Sequence, residues 1–176
     1  PLIGNYGVPN KLLWESEKMQ ISGLIVSDYI DTPSHFASEM TLAKWLKKQK
    51  VPGLIIKDTR FLTQHLRDNG VMLGKIVIDK NIEMFDPNQT NIVAQVSTKK
   101  IEMFTPSTNA KAKTILMLDC GAKRNIEHCF LKRGVNIIKA PWDFDPFDEK
   151  NTTFSFDALF ISNGPGDPKM ADKTIG

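Results

Sequence analysis

Two apolar runs, Thr114-Ile115-Leu116-Met117-Leu118 and Val135-Asn136-Ile137-Ile138, flank one amphipathic stretch, and that arrangement constrains this chain more than any other feature. Each run is short and bounded by turn residues, the pattern of a strand buried on both faces. Between them Asp119-Cys120-Gly121 reads as a turn and 123–132 as a helix, with Ile126, Cys129 and Phe130 on one stripe and Gly134 closing it. Two parallel strands need a crossover of this kind. Pro141-Trp142-Asp143 leaves the second strand, and a polar, aromatic stretch leads to a third apolar run, Ala158-Leu159-Phe160-Ile161. That run passes into Ser162-Asn163-Gly164-Pro165-Gly166-Asp167-Pro168. The expected fold is α/β, the start of a doubly wound sheet with too few strands to complete it.

Upstream the grammar is different. A strand is expected over 21–26, a helix over 39–50 capped by Ser38, and a short strand at Leu54-Ile55-Ile56. Asp58-Thr59 starts a helix that runs to Asn69 and stops at Gly70. A further strand is expected over 71–78, and Ile92-Val93-Ala94 with Val96 reads as another. The two grammars meet at a polar stretch of small and charged residues, so the expected organisation is a first domain over 1–104, a linker over 105–112 and a second domain over 113–176.

Composition narrows the function classes. The 23 basic residues are scattered among 20 acidic ones for a net charge of +3, with no basic block interleaved with aromatics, which argues against nucleic-acid binding. No apolar run is long enough to span a bilayer, so no membrane partner is expected. Cys120 and Cys129 match no zinc spacing and make no disulfide framework, which fits a reducing interior compartment. The sequence begins at Pro1-Leu2-Ile3-Gly4 with no initiator Met and no leader-like pattern, and its last residues stop within a helical pattern, so both ends read as those of a fragment.

The segment 162–168 is where chemistry is expected. In an open α/β sheet ligands bind beyond the carboxyl ends of the strands. Gly164 and Gly166 have no Cβ to block a close approach, Pro165 fixes the bend between them, and loop amides there can face a carboxylate or a developing oxyanion. Taken alone, the glycines describe a tight strand-to-helix turn at least as well.

The surrounding residues add a resemblance. The 162–168 loop is similar to the glycine-rich loop of class I, triad-type glutamine amidotransferases, in the form typical of carbamoyl-phosphate synthetase small subunits. Residues 1–9 (PLIGNYGVP), Pro33-Ser34-His35-Phe36, Asp58-Thr59-Arg60 with Leu62-Thr63, Arg67, Met72 and Gly74, and 119–126 (DCGAKRNI) resemble that family's motifs in its order, over nearly the whole chain. The resemblance implies that 1–104 is the mixed β/α domain that docks the small subunit on the synthetase, lacking its start. It implies that 113–176 opens the amidotransferase domain. In such enzymes a cysteine thiolate, activated by a histidine that a glutamate orients, hydrolyses glutamine, and the ammonia passes to a synthetase that uses bicarbonate and ATP. The implied substrate is glutamine, contacted by the backbone of Gly164 and Gly166, with the Gly164 amide as candidate oxyanion donor. The implied partner is a synthetase large subunit or fused synthetase domains. No cofactor is expected in this region, ATP and Mg being used by the synthetase part. The family's nucleophile, His and Glu lie downstream of this loop, and a glutamine-contacting serine lies upstream of residue 1, so no catalytic residue and no metal ligand is expected within 1–176. The motifs fit enzymes of pyrimidine biosynthesis and of arginine or urea pathways. The expected compartment is the cytoplasm, with the mitochondrion as the alternative.

Five features invite other readings. Cys120 follows a strand and precedes a helix whose positive end would lower a thiol pKa, yet His35 and His65 belong to the other segment and His128 sits beside the apolar stripe, so a nucleophile is not expected there. Cys129 reads as a core residue. Asp119, Lys123, Arg124 and Asn125 fit the edge of a site or a helix cap equally well, whereas Asp58-Thr59-Arg60 reads as an N-cap with an exposed Arg. Trp45 and Trp142 read as packing residues. A scaffold region kept by an ammonia-dependent synthetase is the rival function, and a flavodoxin-like binding domain would need a phosphate loop the chain lacks.

Overall fold

The computed structural model describes residues 2–106, 112–148, 150 and 154–175. It divides into two compact units, Pro1–Phe85 and Asp86–Gly176.

In the first unit the strands β1 (Leu24–Val26) and β2 (Gly53–Ile55) pair in parallel through α1 (Leu42–Gln49), and α2 (Thr59–Asn69) follows. Thr41 rather than Ser38 caps α1: its Oγ1 accepts from the Lys44 amide at 3.2 Å. Ser38 instead donates its hydroxyl to the Met40 carbonyl, and Met40 forms an antiparallel bridge with Val8. That bridge holds the backbone extended just where the helix was expected to begin. Asp58 caps α2 by accepting from the Phe61 amide at 2.7 Å, as the sequence indicates, and Arg60 is exposed. Residues 71–78 are not a strand. Val71 is 93% exposed, and among the described residues none of the amides of this segment joins a ladder. The 1–9 motif is fastened to the segment around Pro33-Ser34-His35-Phe36: the Ile30 amide donates to Ile3 and the Ser34 amide to Asn5, at 2.8 and 2.9 Å. Trp45 packs against Trp14, ring centroids 4.9 Å apart.

The second unit opens with α3 (Ile92–Val96), where a strand was expected. Asn91 is the cause: its Oδ1 accepts from the Ala94 amide at 2.8 Å, and that cap outweighs the β-preference of Ile92, Val93 and Val96. The Asn91 side-chain amide also donates to the Met170 carbonyl at 2.7 Å. The sheet runs in the order β3 (Glu102–Phe104), β5 (Asn136–Pro141), β4 (Thr114–Asp119), β6 (Ala158–Ile161), with β3 antiparallel and the other three parallel. The β4–α4–β5 crossover uses α4 (Arg124–Lys132), close to the expected span. On the α4 side Ile115, Met117 and Ile137 pack against Ile126, Phe130 and Phe160. On the other side Leu116, Leu118, Ile138 and Ala140 meet Ile101, Phe144, Phe154 and Phe156. Each fully buried side chain of this kind contributes roughly 1.5–3 kcal/mol. The short α5 (Asp172–Ile175) follows the glycine loop.

Residues 86–104 therefore pack with the second unit, ahead of the polar stretch at 105–112. Val93 clusters with Cys120 and Ala171, and β3 extends the sheet. Residues 107–111 of that stretch lie outside the described residues.

Candidate functional site

Parallel strands β4 and β6 end side by side, and the residues that follow them interlock. The Ser162 amide donates to the Leu118 carbonyl at 3.1 Å, continuing the ladder one step past β6. The Ser162 hydroxyl then turns back and accepts from the Cys120 amide at 2.9 Å. This brings the 119–122 turn and the 162–168 loop together at the carboxyl edge of the sheet, where the fold class places its ligands.

The two glycines serve this meeting in different ways. A Cβ on Gly164 would lie 2.1 Å from the Cys120 carbonyl oxygen, so only glycine fits beneath that carbonyl. Gly166 has φ +81°, a left-handed conformation that side chains resist, while its Cβ direction meets only Ile92 at 3.4 Å. Both glycines are exposed, and among the described residues neither amide donates to a protein group. Asp167 ends the loop by accepting from the Lys169 amide at 3.0 Å.

Asp119 anchors the turn. It is buried, and its Oδ1 accepts from the amides of Gly121 and Ala122 at 3.0 and 2.9 Å while Oδ2 accepts from Thr98 at 2.8 Å. It closes the 119–122 turn rather than capping α4, whose first residue is Arg124, and it is buried where the cap reading made it a solvated charge. Lys123 precedes α4 without a side-chain cap bond.

Cys120 does not have the environment of a nucleophile. Burial pushes its thiol up from the ordinary value, against a smaller opposing pull from Thr174, and the nearby Asp119 charge adds to the rise. The sulfur lies 3.9 Å from the Thr174 hydroxyl, which itself donates to the Trp142 carbonyl at 2.6 Å. Trp142 packs against Val93, Cys120 and Ala171, a packing role as expected. Cys129 is half-buried. The residue that α4 does bury is Glu127, which the apolar stripe conceals. Glu127 meets Lys139 of β5, and sequence reasoning passed over both; a lysine amid the buried residues of a central strand was the available signal. Among the described residues no cluster of three or more His, Cys, Asp or Glu could hold a metal ion. No helix among them is long and apolar enough to cross a membrane.

Separately, the first unit carries an apolar groove of about 320 Å³, lined by Leu24, Val26, Tyr29, Ala43, Leu46 and neighbours. None of its lining residues belongs to the loop or the turn.

Comparison with known proteins adds the family. Residues 1–76 match the model of the carbamoyl-phosphate synthase small chain, CPSase domain, and residues 116–176 match that of class-I glutamine amidotransferases. The chain is 39% identical over 196 residues to multifunctional protein pyr1-3 of Dictyostelium discoideum, covering 99% of this chain and 9% of that protein. It is 38% identical over 187 residues to the carbamoyl phosphate synthase arginine-specific small chain of Saccharomyces cerevisiae, covering 99% of this chain and 44% of that one. It is 36% identical over 186 residues to the mitochondrial carbamoyl-phosphate synthase [ammonia] of Mus musculus, covering 99% and 12%. The chain thus spans less than half the length of these relatives. With both domain models matched in order and relatives aligned along its whole length, the chain belongs to the carbamoyl-phosphate synthase small-chain family, carrying that family's first domain and the start of its class-I glutamine amidotransferase domain.

Proposed function

We propose that this chain supplies the substrate-loop side of a glutaminase site, within a carbamoyl-phosphate synthase that hydrolyses glutamine and delivers the ammonia to a synthetase part. The observation that carries this is the 162–168 loop. It presents the exposed residues Gly164 and Gly166 at the carboxyl edge of the sheet, in a chain that has both family domains in order. In this reading the backbone at Gly164 and Gly166 contacts glutamine. As a cysteine thiolate attacks the side-chain amide carbon, the carbonyl oxygen becomes an oxyanion and the Gly164 amide donates to it. Ammonia leaves, and water then releases glutamate from the thioester. Nucleophile, histidine and glutamate are assigned to no residue of 1–176, Cys120 being held as a buried thiol.

The partner is a synthetase, either a separate large subunit or fused domains, which combines the ammonia with bicarbonate at the expense of ATP with Mg. Relatives of both arrangements support this, a small chain and a multifunctional protein. The pathway is pyrimidine or arginine synthesis and the compartment the cytoplasm. The ammonia-type relatives favour one second reading, a mitochondrial scaffold region without glutaminase activity.

Glutaminase assays decide between them. Residues 1–176 alone are expected to show no steady-state turnover. In the complete protein in which these residues occur, Gly164→Val is expected to lower kcat by about 100-fold or more. Turnover by 1–176 itself, lost on Gly164→Val, overturns the assignment. A complete protein with no glutaminase activity but with ammonia-dependent synthesis establishes the scaffold reading instead.

A further inference from the structure

Three ionisable side chains are sunk together beneath the 119–122 turn. Lys139 projects from the central strand β5, its side chain 15% exposed, with Glu127 of α4 at 10% and Asp119 at the end of β4 at 4%. The Lys139 ammonium lies 2.8 Å from Glu127 Oε1 and 3.4 Å from Asp119 Oδ2. Burial works against that ammonium, yet the two carboxylates together hold it above the ordinary lysine value. An apolar side chain at 139 would cover the sheet without desolvating a charge, and buried ion pairs are often replaceable by hydrophobic residues at no loss of stability. Stability therefore does not account for a lysine here. Orientation does.

Asp119 is the shared member. Its Oδ2 faces Lys139 and the Thr98 amide, which leaves Oδ1 to take the amides of Gly121 and Ala122. Those bonds set the peptide between Cys120 and Gly121, whose carbonyl oxygen is the atom that Gly164 fits beneath. We infer that Lys139 and Glu127 are positioning residues for the glycine loop, acting through Asp119 and the Cys120 carbonyl to set where the Gly164 amide points. This deepens the glutaminase reading of the loop and rests on it for its catalytic consequence. The mechanical link from Lys139 to Gly164 stands by itself.

The test is amide NMR on isotope-labelled 1–176, with the glutaminase assay of the complete protein beside it. Lys139→Met alone strands two buried carboxylates and risks unfolding, so the informative variant is the double, Glu127→Leu with Lys139→Met. It is expected to shift the Gly121, Ala122 and Gly164 amide signals and to speed exchange at Gly121 and Ala122 by about tenfold or more, with the signals of α2 in the first unit unmoved. Lys139→Arg, which keeps the charge, is expected to restore the wild-type positions. A double variant whose Gly164 and Gly121 signals match the wild type overturns the inference, as does Lys139→Arg behaving like the double variant. The glutaminase assay keeps the two claims apart. If the double variant moves the Gly164 amide of 1–176 while Gly164→Val leaves the glutaminase kcat of the complete protein unchanged, the substrate assignment falls and the positioning link stands.

Discussion

In the first unit β2 leaves Ile55 62% exposed and β1 leaves Ile25 in partial contact with solvent, whereas in the second unit β4 hides Leu116 and Met117 completely. The strands themselves are of one kind: Leu24-Ile25-Val26 is as apolar as Ile115-Leu116-Met117. The difference lies in what surrounds them. Among the described residues β1 and β2 pair only with each other, while β4 has a neighbour on each side and side chains packed on both faces. Apolar sequence creates the demand for burial, and only strand count and coverage satisfy it.

The largest expected effect tests that difference at its centre. Leu116→Ala should lower the stability of the second unit by about 3 kcal/mol, because the cavity opens where neighbours on both faces are fixed. Ile55→Ala should change the first unit by no more than about 0.5 kcal/mol. Urea unfolding read through Trp142 for the second unit and through Trp14 and Trp45 for the first measures both. Equal losses would break the comparison.

A smaller effect would show that the first unit owes proportionately more to local bonds than to core. Asp58→Ala removes the α2 cap and should cost about 1 kcal/mol, twice or more the loss at Ile55. Helical circular dichroism during the same urea titration checks it, and a loss at Asp58 no larger than at Ile55 would count against the view.

The smallest effect lies at the surface of the second unit, where Asp157 accepts from Lys113 at 2.6 Å and from the Thr114 amide at 2.8 Å. Lys113 first, then that amide, hold the Asp157 carboxyl below the ordinary range. Its folded pKa is therefore depressed, so the stability it adds is present above the unfolded value of about 3.9 and fades as pH falls through the folded one. Wild type and Asp157→Asn should differ slightly in urea midpoint near neutral pH and converge in strong acid. Salt should shrink the difference, the pair being exposed. A gap that persists in acid would assign the effect to something other than this charge.

These regions also differ in how much of them could be read in advance. The β4–α4–β5 crossover and β6 were legible because each rests on a local apolar period bounded by glycine or proline. The loop at 162–168 was legible as a turn because its glycines and prolines punctuate the end of β6. Residues 71–78 were misjudged because Val71, Val77 and Ile78 have strand character but find no ladder. At α3 a single asparagine outweighed the β-branched residues after it. The charged group under the turn was hidden because its members come from β4, α4 and β5, and nothing in a local window reports that Lys139 meets Glu127. Gly164 was chosen for closeness to a ligand, and the close approach that first requires it is to the Cys120 carbonyl.

The bond from Asn91 to the Met170 carbonyl, 79 residues apart, has a consequence for how the protein is made. At roughly 5–20 residues per second of translation, the ribosome needs about 4–16 s to extend the chain from one partner to the other. Until then the residues of α3, too few to hold a helix alone, lack the partner that fastens them, and β3 waits likewise for β5. A nascent chain paused in this window leaves an apolar segment and an unpaired strand unsatisfied.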